Sequence, residues 1–231
     1  MNAIKPLDGL EGILGGDAGA EPVASVLVLH GLGADGSDFV PIAQAMDLSA
    51  VGPVRWVFPS APVRPVTLNG GYAMRAWFDI HPPRPDGTRL EDVAGLRESQ
   101  AAVQQLLDRE AMRGVPPERT VLMGFSQGCA MTLLAGLRAP RRLAGLVALS
   151  GYLPLADTTA AEVHSANRTV PLFMAHGEFD DIVVPARGLA ARDALQALGY
   201  AVDWHGYPMA HEVSLEEVAD LNAWLLQVLA N

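Results

Sequence analysis

The stretch TVLMGFSQGCAMTLLAGL, residues 120–137, decides how this chain is read. Its first four residues form the short apolar run of a strand buried on both faces. Its second half, small and apolar, reads as a helix that closes before Pro140. Between the two lies Gly124-Phe125-Ser126-Gln127-Gly128, a G-x-S-x-G pentad. The pentad alone is a weak signal, but a strand leading in and a helix leading out are what a nucleophile elbow requires. The flanking glycines suit it, because a Cβ on either side of so tight a turn would meet neighbouring backbone. The turn lifts the Ser126 hydroxyl clear of the sheet. It also points the Gln127 N–H, at the helix start, toward the place where negative charge would build. A serine in such a turn can instead be a simple helix N-cap, so the rest of the chain must supply its partners.

Working outward, strand and helix signals alternate. VASVLVLH (23–30), VRWVF (54–58), 143–149 and 170–175 are apolar runs of buried strands, and 201–204 is a further short strand. Helical spacing or helix punctuation marks 38–46, opened by Asp38, and then 90–112, 127–138, 186–198 and 215–229. Residues 59–88 are rich in proline and show no clear period; an unstructured stretch that long in a compact domain is usually functional. The alternation predicts an α/β fold with a mostly parallel central sheet and helices on both faces. Reactive loops in such sheets lie beyond the carboxyl ends of the strands.

The composition agrees. The chain has 231 residues, half of them apolar and 18% charged, which suits one large packed domain and excludes a disordered chain. The expected organisation is a single catalytic domain over 23–231, preceded by a segment, 1–22, of unclear role. A net charge of -10 repels phosphate backbones and argues against nucleic acid as a partner. One cysteine, Cys129, allows no internal disulfide and fits a reducing compartment. Residues 1–22 lack the basic and apolar regions of a secretory signal, and neither uncharged run, 120–137 or 143–156, has the ~20 apolar residues of a membrane span. A cytoplasmic protein with no integral membrane association is expected.

A serine hydroxyl needs a base, and the base an orienting acid. Of the six histidines, His30 and His176 sit at strand ends before glycine and read as packed, hydrogen-bonded residues shaping their loops. His81 lies in the long loop, His164 in a polar segment and His205 in or just beyond a strand. His211 differs: it falls in a loop between the last strand and the final helix, from which an imidazole can reach over the sheet edge toward Ser126. In HGEFDD (176–181), Asp180 or Asp181 could orient it, unless these acids only cap the next helix. A second oxyanion donor, beside the Gln127 N–H, is sought in the HGLG turn after the first apolar strand, at the Leu32 N–H. That turn lacks the Gly-Lys-Ser/Thr of a phosphate loop, and its H-G-x-x-D offers no metal-ligand spacing, so neither cofactor nor metal is expected.

LHGLGADGSDF (29–39), FPSAPVRPVTLNGGYAMRAWFD (58–79), GFSQGCAM (124–131), HGEFDDIVVP (176–185) and YPMAHEV (207–213) are collinear. On these pieces the sequence resembles the phospholipase/carboxylesterase family of α/β-hydrolases, the carboxylesterases and acyl-protein thioesterases. The resemblance implies an α/β-hydrolase fold with Ser126 as nucleophile, Asp180 as triad acid (Asp181 as fallback) and His211 as base. It also implies an oxyanion hole from the Leu32 and Gln127 amides, and a pocket flanked by the segment around Trp77-Phe78-Asp79. Tyr72, Trp77 and Phe78 suggest an apolar acyl slot, although these aromatics could equally be core. Cys129, where the family often has Gly or Ala, is expected to be a packed thiol. The leading expectation is a serine carboxylesterase acting on short- to medium-chain esters. The same residues would serve an acyl-protein thioesterase or a lysophospholipase, and a rival of another class is a catalytically silent relative that binds a ligand. The expected partner is a small-molecule ester or thioester; homodimers are frequent in the family.

Overall fold

The central strands are apolar at nearly every position because both faces of the sheet are covered. The computed structural model describes residues 7–16 and 19–230. The remainder of the segment 1–22, and Asn231, lie outside the described residues. The principal elements are β1 (Gly9–Leu14), β2 (Ala24–Leu29), α1 (Val40–Ala45), β3 (Val54–Pro59), β4 (Val63–Val66), β5 (Tyr72–Arg75), α2 (Val93–Met112), β6 (Thr120–Phe125) and α3 (Gln127–Arg138). They continue with β7 (Gly145–Leu149), α4 (Ala156–Glu162), β8 (Leu172–Gly177), α5 (Pro185–Ala197), β9 (Val202–Tyr207) and α6 (Leu215–Leu229). The chain has the α/β-hydrolase fold, with a mostly parallel sheet flanked by helices.

Alternation along each strand divides the core in two. Leu27, Leu29, Leu122, Leu146 and Met174 point to the face covered by α2, α3 and α5. Val26, Val28, Met123, Val147 and Phe173 point to the opposite face, against α1 and α6. Each such side chain removed from water contributes roughly 1.5–3 kcal/mol, so the central strands are the most firmly held part of the molecule. No described helix is long and apolar enough to cross a membrane.

Topology then fixes where chemistry can occur. The strand order is β1-β3-β2-β6-β7-β8-β9, with β1 antiparallel to β3 and the other neighbours parallel. From β2 the chain moves outward to β3 and later returns to the other side of β2 as β6. The order therefore reverses between β2 and β6, and a crevice opens beyond their carboxyl ends. The loops carrying Leu32 and Ser126 leave those two strands.

Several elements depart from the expectations, among them α4, a helix not expected there. Residues 9–14, within the segment without an assigned role, form the antiparallel edge strand, and Arg113, the C-cap of α2, holds Glu11 at 2.8 Å. The long loop contains the hairpin β4–β5, tied by pairs from Val63↔Arg75 to Val66↔Tyr72. Helix α1 starts after Phe39 rather than at Asp38, with a proline in its first turn.

Helix α6 carries a titratable anomaly. Its N-cap Ser214 accepts from the Glu217 N–H, and the Glu217 side chain is wholly buried. Burial, only partly offset by the nearby Ser214 backbone, pushes its carboxyl up to about 8. Between about pH 4.5 and 8 the folded state therefore holds a proton that the unfolded chain has lost, and stability falls as pH rises through that window. Glu217→Gln should flatten this slope, leaving wild type and variant differing by about 2 kcal/mol or more between pH 5 and 8. Parallel urea titrations at the two pH values check this; equal slopes would contradict it.

Candidate active site

Ser126 stands between β6 and α3 with φ 56 and ψ −115, a backbone conformation that non-glycine residues rarely adopt. Its glycine neighbours are required by space rather than by φ. A Cβ on Gly124 would lie 2.2 Å from the Gly128 carbonyl oxygen, and one on Gly128 would lie 2.0 Å from that of Leu29. Helix α3 thus packs directly on the backbone of β2 and β6, which fixes the turn. The same closeness brings the β2 loop to the serine, since a Cβ on Gly31 would sit 3.3 Å from Ser126 Cβ.

Asp180 follows β8. Its Oδ1 accepts from the N–H groups of Ile182 at 3.0 Å and Val183 at 2.8 Å, an Asx-type turn that folds the carboxylate inward. Asp181 is exposed. The loop after β9 carries His211 and is bound to the Asp180 loop by two backbone bonds: Glu178 N–H to the Tyr207 carbonyl at 2.8 Å, and Phe179 N–H to that of Met209 at 3.0 Å. The Phe125 ring supports the imidazole at 4.7 Å between centroids. As a result His211 Nδ1 lies 2.7 Å from Asp180 Oδ2, and its Nε2 lies 2.8 Å from Ser126 Oγ. The carboxylate is buried and the imidazole nearly so. With the proton on Nδ1 bonded to the carboxylate, Nε2 is free to accept the serine proton.

The sequence-predicted Ser126, Asp180 and His211 are therefore brought together, and among the described residues none of the other five histidines hydrogen-bonds the Ser126 hydroxyl. His30 and His176 are buried and bonded to backbone, and His176 Nε2 also approaches Asp180 Oδ2 at 3.3 Å. His81 sits 3.7 Å from Asp79, His164 accepts from the Ala166 N–H, and His205 lies inside β9, 3.1 Å from Asp203. Cys129 is fully buried, and burial pushes its thiol up to about 12, so it stays protonated and unreactive at neutral pH.

Beside Ser126 a cavity of about 150 Å³ is lined by Leu32, Gln127, Phe78, Leu68, Ile80, Leu96 and Ile182, with a polar edge at Tyr152, Arg187 and Glu91. The Gln127 N–H, first of α3, has no intrahelical acceptor. The Gly33 N–H donates to the Arg75 carbonyl at 2.9 Å, whereas no acceptor meets the Leu32 N–H among the described residues.

Of the three aromatics expected at an acyl slot, only Phe78 lines the cavity. Trp77 is wholly buried, so the core alternative describes it; Tyr72, 70% exposed on β5, is turned to solvent. Sequence reasoning also missed the Gln127 side chain. Its Oε1 accepts from the Trp77 N–H and its Nε2 donates to the Phe78 carbonyl, both at 2.7 Å, clamping the cavity wall onto the elbow. The only signal available was the adjacency of Gln127 to Ser126.

Comparison with known proteins gives the family of the chain. The phospholipase/carboxylesterase family model matches residues 17–229. Acyl-protein thioesterase 1 of Yarrowia lipolytica is 36% identical over 212 residues, covering 90% of this chain and 93% of that protein. A probable carboxylesterase of Oryza sativa subsp. japonica is 35% identical over 210 residues, covering 90% and 79%. Among solved structures, that of Arabidopsis thaliana SOBER1 superimposes with a TM-score of 0.80 at 30% identity, covering 89% of this chain and 99% of that one.

Proposed function

The chain belongs to the phospholipase/carboxylesterase family, and from that premise we propose a cofactor-free serine carboxylesterase acting through an acyl-enzyme. In this reading Ser126 attacks the acyl carbonyl while His211 Nε2 takes its proton. Asp180 holds the imidazole and stabilises its charged form. The Leu32 and Gln127 amides receive the oxyanion, His211 returns the proton to the leaving alcohol or thiol, and a water activated by the same imidazole releases the acid. The observation that carries the reading is the unbroken relay from Asp180 through His211 to the Ser126 hydroxyl at 2.7 and 2.8 Å.

The cavity beside Ser126 supports a preference among acyl chains. A space of about 150 Å³ takes a group the size of benzene, which favours short to medium acyl chains over long ones. Each methylene buried is worth ~0.8 kcal/mol, so kcat/KM on p-nitrophenyl esters should climb about fourfold per added carbon until the cavity is full. It should then fall at least tenfold by palmitate. The similarity to acyl-protein thioesterase 1 favours a second reading, in which the same residues cleave acyl thioesters of proteins. A chain-length series run beside matched thioesters separates the two. A kcat/KM greatest for long-chain thioesters would replace the first reading with the second.

A further inference from the structure

His30, at the end of β2, is wholly buried and belongs to no step of the mechanism above. Both ring nitrogens are nevertheless engaged. Nε2 accepts from the Ala61 N–H at 2.9 Å, and Nδ1 lies 2.7 Å from the Gly31 carbonyl oxygen. Because the Ala61 amide can only donate, Nε2 must be bare and the ring proton must sit on Nδ1, where it donates to Gly31. The Gly31 carbonyl and the Leu32 N–H are the two ends of one trans peptide unit, so holding the carbonyl toward the His30 ring turns the N–H the opposite way. Gly31 itself packs against Ser126, and Leu32 lines the same cavity as the serine hydroxyl. The histidine is fixed in turn by the Trp77 indole N–H, which donates to the His30 carbonyl at 2.9 Å.

We propose that His30 is a positioning residue for the oxyanion hole: its Nδ1–H, in a tautomer imposed by the Ala61 amide, aims the Leu32 N–H at the substrate oxygen. This rests on the serine-hydrolase reading and adds to it how one of its two donors is held in place. Burial lowers the His30 pKa, which keeps the ring neutral and its acceptor nitrogen available. Hydrogen bonding also polarises the peptide, making its N–H a better donor.

Two substitutions separate aiming from packing. Asparagine places an amide N–H near the position of Nδ1, whereas glutamine reaches the position of Nε2 and leaves Gly31 without its donor. For His30→Gln, kcat on p-nitrophenyl butyrate should fall about 10–100-fold with KM changed less than threefold. The inhibition constant of a trifluoromethyl ketone, whose adduct carries an oxyanion, should rise by the same factor. His30→Asn should keep kcat within about fivefold of wild type. Equal losses in the two variants, or an unchanged kcat in His30→Gln, would overturn the proposal. Should a variant fail to fold, ¹⁵N NMR of the wild-type imidazoles decides the matter: a protonated Nδ1 and bare Nε2 at His30 are expected, and the opposite tautomer refutes the assignment. A fluorophosphonate control on the wild-type chain keeps the two levels apart. Labelling at Ser126 with unaltered His30→Gln kinetics removes only this inference, whereas ester turnover without labelling at Ser126 removes the hydrolase reading beneath it.

Discussion

Replacing Ser126 by alanine is expected to lower ester turnover by about 10⁴-fold or more, with folding essentially unchanged. The two parts of that result have separate causes. Activity falls because the proposed route has no other nucleophile: Cys129 is buried and fully protonated at neutral pH, and no second hydroxyl meets His211 Nε2 among the described hydrogen bonds. What remains is the modest acceleration that the oxyanion donors and binding give to attack by water. Folding survives because the Ser126 hydroxyl has His211 as its hydrogen-bond partner, and alanine occupies the same strained backbone at little added cost. Steady-state kinetics paired with a thermal melt report both. A variant that hydrolyses esters at the wild-type rate would exclude Ser126 as nucleophile.

Asp180→Asn should cost a further large factor, about 10⁴ in kcat, while KM moves by only a few fold. The carboxylate accepts on both sides, from the Ile182 and Val183 amides at Oδ1 and from His211 at Oδ2. Asparagine keeps the shape but has only one acceptor oxygen. If that oxygen stays with the two amides, the amide NH₂ faces His211 and forces the ring proton onto Nε2, where it can no longer take the serine proton. Asp181→Asn is the matched control. That side chain is exposed, and its replacement should change kcat less than twofold. A large loss in the Asp181 variant, with little in Asp180→Asn, would transfer the orienting role to the neighbour.

Much of this was legible along the chain because the informative signals are local. Continuous apolar runs mark strands covered on both faces, and the pentad around Ser126 sits where a strand meets a helix. The choice between Asp180 and Asp181 required the turn itself, since only the fold shows which carboxylate curls back onto the amides two and three residues ahead. Strand β1 gave no clear signal: GLEGIL contains two glycines, is mostly exposed, and is held by pairing with β3 and by the Glu11–Arg113 bridge rather than by its own pattern. Pro65 disguised β4 as loop, a position tolerable only because its partner is a short hairpin strand at the surface. The cavity was the least readable part. Its wall is assembled from Leu32, Leu68, Phe78, Leu96 and Ile182, which lie on separate segments, so aromatic content in one stretch was a poor guide to lining. The two bonds of the His30 ring were hidden for the same reason, one of its partners being 31 residues away.

The most direct test is to treat the active protein with a fluorophosphonate, digest it and map the adduct by mass spectrometry. The account predicts one phosphonyl group per chain, on the peptide bearing Ser126, accumulating in step with the loss of esterase activity. An adduct confined to some other residue, or full inactivation with Ser126 unmodified, would contradict it.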